Sequence, residues 1–336
     1  MDAATLVDAL ASAGTGASLP AGLRAFAADQ RRRGDSAAAE STSFWHEMHV
    51  ELRRQAGNER LPLGLRGSLR QLAHRAAARG TRAANTAPRF PRRLLREWSP
   101  ARPGDALLAR ARAAVTGAGV DPDAPFAVVE VRNRPDVLAG ACQLLISRGL
   151  AVVTIGHTLP PALRRPGLVE LGAAVEPMVE LSLVSRAALT LCGGWDLQFA
   201  SALFGRPSVT LNGTDPFRLY PVRAKSVYLL RSAIELSTGR ELSWEEQLTE
   251  QYFRNLRHHG HREHAAAEVT SAVAELLDEV DGVEAGESPS QGAFRARVSE
   301  AGARLAASSR YVATWGPDDG FLGDGRLAQV QAGRLA

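Results

Sequence analysis

Four short stretches of the chain carry side chains suited to holding an anion or moving a proton, and each follows an apolar run. Arg132-Asn133-Arg134-Pro135-Asp136 sets two guanidiniums side by side. A guanidinium is a rigid fork of donors that fits phosphate oxygens. Gly156-His157-Thr158 offers an imidazole, whose ordinary pKa of about 6.5 suits a general base. Cys192-Gly193-Gly194-Trp195-Asp196 joins paired glycines to the start of a helix. Such a turn lets backbone N–H groups approach an anion, and the helix N-terminus adds about half a positive charge. Leu211-Asn212-Gly213-Thr214-Asp215-Pro216 is a polar turn whose side chains can hold hydroxyls.

Each stretch has a plainer alternative. The arginines can decorate a solvated loop, His157 can be structural, the glycine turn can be a tight connection capped by Asp196, and the Asn212 turn can be an Asx turn. Trp195 can stack on a base or sugar, or simply pack. The binding set is therefore Arg132, Arg134, Gly156, Gly193, Gly194, Trp195 and Asn212. The candidate proton acceptors are His157, Asp196 and Asp215, and spacing selects none of them. No metal site is expected. His258, His259, His261 and His264 lack a His-Glu-x-x-His pattern or a cysteine partner and read as a solvated helix end. Asp121-Pro122-Asp123 has the Asp-x-Asp form of metal-dependent sugar transferases but precedes a strand instead of following one.

These stretches need a scaffold that brings strand ends together. From Asp121 onward, apolar runs bounded by Gly, Pro and Asn alternate with helix-period segments, the grammar of an α/β fold. Strands are predicted at Phe126–Val131, Leu150–Ile155, Gly167–Leu171, Ala188–Cys192, Ser208–Leu211 and Ser226–Leu230. Their Val/Ile/Leu runs lack alternation, as in parallel strands covered on both faces. Pro135–Ser147 has the length of a crossover helix. In a doubly wound sheet, ligands bind outside the carboxyl ends of the strands, which is where all four stretches fall. Ser243-Trp244-Glu245-Glu246 is a capping box that opens a helical stretch ending near Val280. Residues 282–291 read as a polar linker, followed by a helix near Phe294–Ala307 and a Gly/Asp-rich end.

Residues 1–115 differ in kind. Leu23, Phe26 and Ala27, then Leu69, Leu72 and Ala76, repeat at helical spacing, and strand-like alternation is nearly absent. The division is thus a helical, Arg-rich region over 1–115, a Rossmann-like domain over 121–281, and a linker with a helical tail over 282–336. The 336 residues carry a formal net charge of +4. That sum hides an asymmetry: 19 Arg against 10 acids before residue 116, and 21 basic against 26 acidic residues after it. Because 39 of the 40 basic residues are Arg and only Lys225 is Lys, the basicity fits a coding bias, and nucleic acid is disfavoured as a partner. The composition, 45% hydrophobic and 23% charged, excludes a disordered chain. No uncharged apolar stretch of about 18 residues is present to cross a bilayer, and the start lacks the positive n-region of a signal peptide. The expected compartment is the cytoplasm. Cys142 and Cys192, both inside apolar runs, form no disulfide framework.

Several segments together resemble the nucleotide-binding half of GT-B glycosyltransferases. Residues 126 to about 320 are similar to a bacterial glycosyltransferase family in Val129-Glu130-Val131-Arg132 and in Ser147-Arg148-Gly149-Leu150-Ala151-Val152-Val153-Thr154-Ile155-Gly156. The similarity continues in Phe204-Gly205-Arg206-Pro207-Ser208-Val209-Thr210-Leu211-Asn212 and in Gly239-Arg240-Glu241-Leu242-Ser243-Trp244-Glu245-Glu246. The Phe-Gly-x-Pro element is shared with sugar-nucleotide epimerases; its order between the upstream Arg and the downstream Leu-Ser-x-x-Glu narrows it.

The resemblance implies a metal-independent transfer of a sugar from a nucleoside-diphosphate donor, which is substrate and not cofactor, to an unidentified acceptor. It implies that Arg132 meets the donor pyrophosphate, as the strand-end Arg does in fucosyltransferase-like folds, and that Gly193–Asp196 and Asn212 line the pocket. The chain departs from the family at Thr154, where the family has Arg, and at Trp195-Asp196, where it has a small Ser-Gly turn. Residues 1–115 do not read as the second Rossmann-like half of a full GT-B enzyme. They leave open an acceptor region, a protein partner or homo-oligomer interface, and peripheral membrane contact. Two alternatives stand beside the transferase: a non-catalytic nucleotide-sugar or partner-binding module with a basic docking region, and a sugar-nucleotide epimerase or hydrolase.

Overall fold

The structure, a computed structural model, describes residues 103–131, 135–160, 163–171, 177–193, 195–214, 216, 225–283, 286–306 and 326–333. Most of the expected helical N-terminal region, residues 1–102, lies outside the described residues, as do Arg132, Asn133, Arg134, Gly194, Asp215 and residues 307–325 of the tail.

Helix α1 (Asp105–Gly117) leads into β1 (Phe126–Val131), and a 3-10 turn (Pro135–Leu138) runs into α2 (Ala139–Ser147). There follow β2 (Ala151–Gly156), β3 (Leu168–Glu170), α3 (Pro177–Arg186), β4 (Leu189–Cys192), α4 (Trp195–Leu203), β5 (Ser208–Gly213) and β6 (Ser226–Leu230). The seven-stranded sheet is completed by β9 (Arg326–Leu327), in the order β3-β2-β1-β4-β5-β6-β9. Every neighbouring pair is parallel. The first six strands thus follow the doubly wound Rossmann order, whose direction of winding reverses between β1 and β4. This is the α/β, Rossmann-like architecture expected from the alternation of apolar runs and helices.

The runs become central strands because both of their faces are covered. On one face Ala127, Val129 and Val131 of β1, Leu189 and Leu191 of β4, and Val209 and Leu211 of β5 meet α2 and α7 (Ala266–Val280). Val269, Ala272, Val273, Leu276 and Leu277 give α7 a buried stripe at the helical period. The other face is different in chemistry. Thr190, Ser208, Thr210, Ser226 and Tyr228 are buried there, and Ser201 of α4 meets Thr190 hydroxyl to hydroxyl at 2.7 Å. Gln198 donates to the Tyr228 hydroxyl at 2.6 Å. Helix α3 packs beside α4, and α1, which runs across the expected boundary at residue 115, packs on α3.

The Phe-Gly-x-Pro element has a plain physical role. Gly205 adopts φ +62°, its N–H bonds to the Ala202 carbonyl, and the next N–H, of Arg206, reaches back to Ser201. This is a Schellman closure of α4, and Pro207 then prevents the helix from continuing into β5. Downstream, the Ser243–Glu246 capping box forms as predicted at the start of α5 (Trp244–Gln247). Other details depart from the sequence reading. His259–His261 is not a helix end but β8, paired antiparallel with β7 (Ala233–Glu235). Between them run α5, α6 (Glu250–Arg254) and a short 3-10 turn. Helix α8 (Pro289–Ala306) begins inside the segment expected to be linker. The tail returns to the sheet as β9 and α9 (Gln329–Ala332), held where Arg326 pairs with Glu275 at 2.9 Å. Among the described residues no helix is long and apolar enough to cross a membrane.

Candidate functional site

At the switch point the carboxyl ends of β1, β2, β4, β5 and β6 form one crest, and the sequence-predicted residues that are described sit along it. Gly156 pairs with Val131 in register, and the His157 N–H bonds the Val131 carbonyl at 2.9 Å. The backbone of Gly156 takes φ +89°, and a Cβ there would lie 2.5 Å from the Val131 oxygen. Only glycine fits this left-handed, tightly opposed position. His157 follows it, exposed. The loop beyond is fixed by Glu170, which accepts from the Leu159 N–H at 3.0 Å.

Strand β4 ends at the buried Cys192, and α4 begins at Trp195. Trp195 and Asp196 therefore occupy the first turn of that helix, where free N–H groups and the positive end of the dipole face the crest. Gly193 belongs to the connection, and its carbonyl accepts from Asn212 Nδ2 at 3.2 Å.

Asn212 is the only non-glycine described residue with positive φ, +63°. It stands where the β5–β6 register shifts between Thr210 and Gly213. The bulge turns its N–H away from the ladder toward His264 Nε2, 3.1 Å away. Asn212 Oδ1 accepts from Arg231 Nε at 3.1 Å, and Arg231 Nη2 pairs with Glu263 at 2.8 Å. Gly193, Asn212, Arg231 and Glu263 thus form one hydrogen-bonded line across the ends of β4, β5 and β6. Because His264 Nε2 accepts, the ring proton sits on Nδ1 and the imidazole is neutral. Its pKa is lowered to about 4, first by burial, with Glu268 pulling it up and Arg231 and Arg262 lowering it.

Arg231, Glu263 and His264 were missed by the sequence reading. Arg231 was within its reach, since it directly follows the predicted strand Ser226–Leu230. His264 reads from sequence as part of a solvated helix end, whereas it is buried against a partner 52 residues away. Among the described residues no group of three or more His, Cys, Asp or Glu is arranged to hold a metal ion. Asp121 and Asp123 lie at the amino end of β1, where Asp121 accepts from the Asp123 N–H at 2.9 Å and Asp123 pairs with Arg112 at 2.6 Å. A separate open cavity of about 690 Å³, lined by Arg164, Arg165, Leu168, Glu170 and Leu171, flanks the edge strand β3. Both cysteines are buried and neither is in a disulfide, and burial holds the Cys142 thiol up at about 11.

No family profile matches the chain, and no curated protein matches it. The solved structures similar to it include two transferases. One is a glycosyl transferase of family 9 from Veillonella parvula, with 14% identity over 61% of this chain and 60% of that one, at a TM-score of 0.38. The other is the E. coli ADP-heptose LPS heptosyltransferase II, with 13% identity over 62% of each chain and a TM-score of 0.37. The chain spans about three fifths of the length of each.

Proposed function

We propose that this protein is a glycosyltransferase that moves a sugar from a nucleoside-diphosphate donor to an acceptor hydroxyl without a metal ion. The observation that carries the reading is the crest itself: at the switch point of a 3-2-1-4-5-6 sheet, a glycine connection, the N-terminus of α4 and Asn212 converge. Such a place suits a diphosphate, because backbone N–H groups and the helix dipole supply positive potential where no lysine is needed. The sequence resemblance supports a sugar nucleotide over other diphosphates.

In this reading the donor lies along Gly156, Gly193, Gly194, Trp195 and Asn212. Arg132 and Arg134, which follow β1, neutralise the diphosphate as charge grows on the leaving oxygen. The acceptor hydroxyl gives its proton to a base as its oxygen bonds to the anomeric carbon. The bond from that carbon to the diphosphate oxygen breaks, and the nucleoside diphosphate departs. His157, Asp196 and Asp215 are the bases to test, and His157 comes first because it is exposed on the crest beside the Gly156 turn.

The test is release of nucleoside diphosphate from a panel of nucleotide sugars, with and without acceptor mixtures. Acceptor-dependent release is expected, and it should fall about 10²–10⁴-fold in His157→Ala while donor binding persists. In Arg132→Ala, donor binding itself should weaken. Release that ignores the acceptor would make the protein a hydrolase, and an isomerised sugar without release would make it an epimerase. The absence of both release and binding across the panel would overturn the reading.

A further inference from the structure

The Arg231 guanidinium is held by two partners, one of them a carboxylate, and its Nη1 has none among the described residues. Its Nε donates to Asn212 Oδ1 and its Nη2 to Glu263 Oε2. Its backbone is fixed as well, since the Arg231 N–H bonds the Gly213 carbonyl at 2.7 Å. One residue earlier, the Leu230 N–H donates to Gln331 Oε1 at 2.9 Å, and the Gln331 amide donates to the Leu230 carbonyl. The end of β6 is therefore clamped on both sides.

A guanidinium has a side edge, made of Nε and one Nη, and an end edge, made of both Nη groups. At Arg231 the side edge is used up. Nη1 has no partner among the described residues, and 21% of the side chain remains exposed. Nη1, with its two N–H groups, is what remains to donate to phosphate oxygens. Since Asn212 bonds both Arg231 and the Gly193 carbonyl, this cation stands two hydrogen bonds from the connection that opens α4.

We infer that Arg231 is a phosphate-binding residue of the crest, presenting Nη1 to a diphosphate, with Asn212 and Glu263 as the residues that position it. The inference rests on the proposed nucleotide-diphosphate site and adds to it a residue that the sequence resemblance does not supply. A cation already anchored by Asn212 and Glu263 loses little side-chain freedom on binding, so the contact is preorganised. Glu263 is 40% exposed, so its charge is partly screened by water and does not cancel the attraction for a dianion.

Two measurements test this. The first uses the unaltered protein: arginine modification by phenylglyoxal, read by peptide mass spectrometry, with and without saturating inorganic pyrophosphate or nucleoside diphosphate. Protection of Arg231 is expected, with no change at Arg148, which pairs with Asp278 and Asp281 elsewhere. The second is calorimetry with Arg231→Gln and Glu263→Gln. Arg231→Gln should weaken diphosphate binding by at least about tenfold, while Glu263→Gln, which keeps the cation but frees it, should weaken it less. If the protein binds a diphosphate but Arg231 is modified at the same rate with and without it, Arg231 is overturned and the site stands. If the folded protein binds no diphosphate at all, both fall.

Discussion

His264 does its work on the crest only as a neutral ring. Its Nε2 accepts the Asn212 N–H, and protonation would turn that acceptor into a second donor aimed at the same hydrogen. The groups facing it are Glu268, which favours the proton, and Arg231 and Arg262, which oppose it. Burial, joined by the two arginines, outweighs Glu268, so the folded protein takes up this proton only near pH 4, whereas the unfolded chain takes it up near the ordinary value of about 6.5. Between those values the unfolded state binds more protons, so stability rises with pH. The His264 contribution is complete above about pH 6.5, shrinks as pH falls toward 4 and is gone below it. Urea unfolding from pH 7.5 to 4 should show this loss, and His264→Gln, an acceptor that does not titrate, should remove that part of the slope. An unchanged slope in the variant would contradict the assignment. For single residues the sequence was legible as to place at a strand end, as with Gly156, Gly193 and Asn212. It was opaque for His264 and Glu263, whose roles depend on partners far along the chain.

Helix α7 supports the crest from beneath, since its buried stripe packs on β5 and β6 and its N-terminal approach delivers Glu263 and His264. Leu276 is fully buried in that stripe, so Leu276→Ala should cost about 2–5 kcal/mol of unfolding free energy. The same truncation at Leu236, 60% exposed, should change stability by less than about 0.5 kcal/mol. Equal effects at both positions, measured by denaturant unfolding, would contradict the packing described. Long elements were readable because apolar runs and 3.6-residue stripes encode them directly. The six predicted strands of the sheet all form, with β5 running two residues further to carry Asn212. The short strands were not readable. His259-Gly260-His261 has no alternating apolar face, and its pairing with β7 is fixed by a neighbour some 25 residues earlier. Strand β9 has two residues, and it is held by Arg326 with Glu275 and by Gln291 donating to the Leu327 carbonyl, contacts that no local pattern announces.

For the whole molecule, the strand order decides where function can reside. A doubly wound sheet reverses once, and here the reversal places the ends of β1 and β4 side by side with the Asn212 line next to them. The opposite edge carries the Asp121–Asp123 turn, tied up by Arg112. Composition and periodicity gave the α/β class, while the order of the strands emerges only from their packing. In the proposed function this crest binds a nucleoside diphosphate. The most direct measurement is amide hydrogen exchange of the full chain with and without saturating nucleoside diphosphates, after a thermal-shift panel has chosen among bases. The account predicts slowed exchange confined to the amides around 156–158, 193–198, 212–214 and 231–232. No stabilisation by any nucleotide, or protection that falls at the amino edge of the sheet instead, would contradict it.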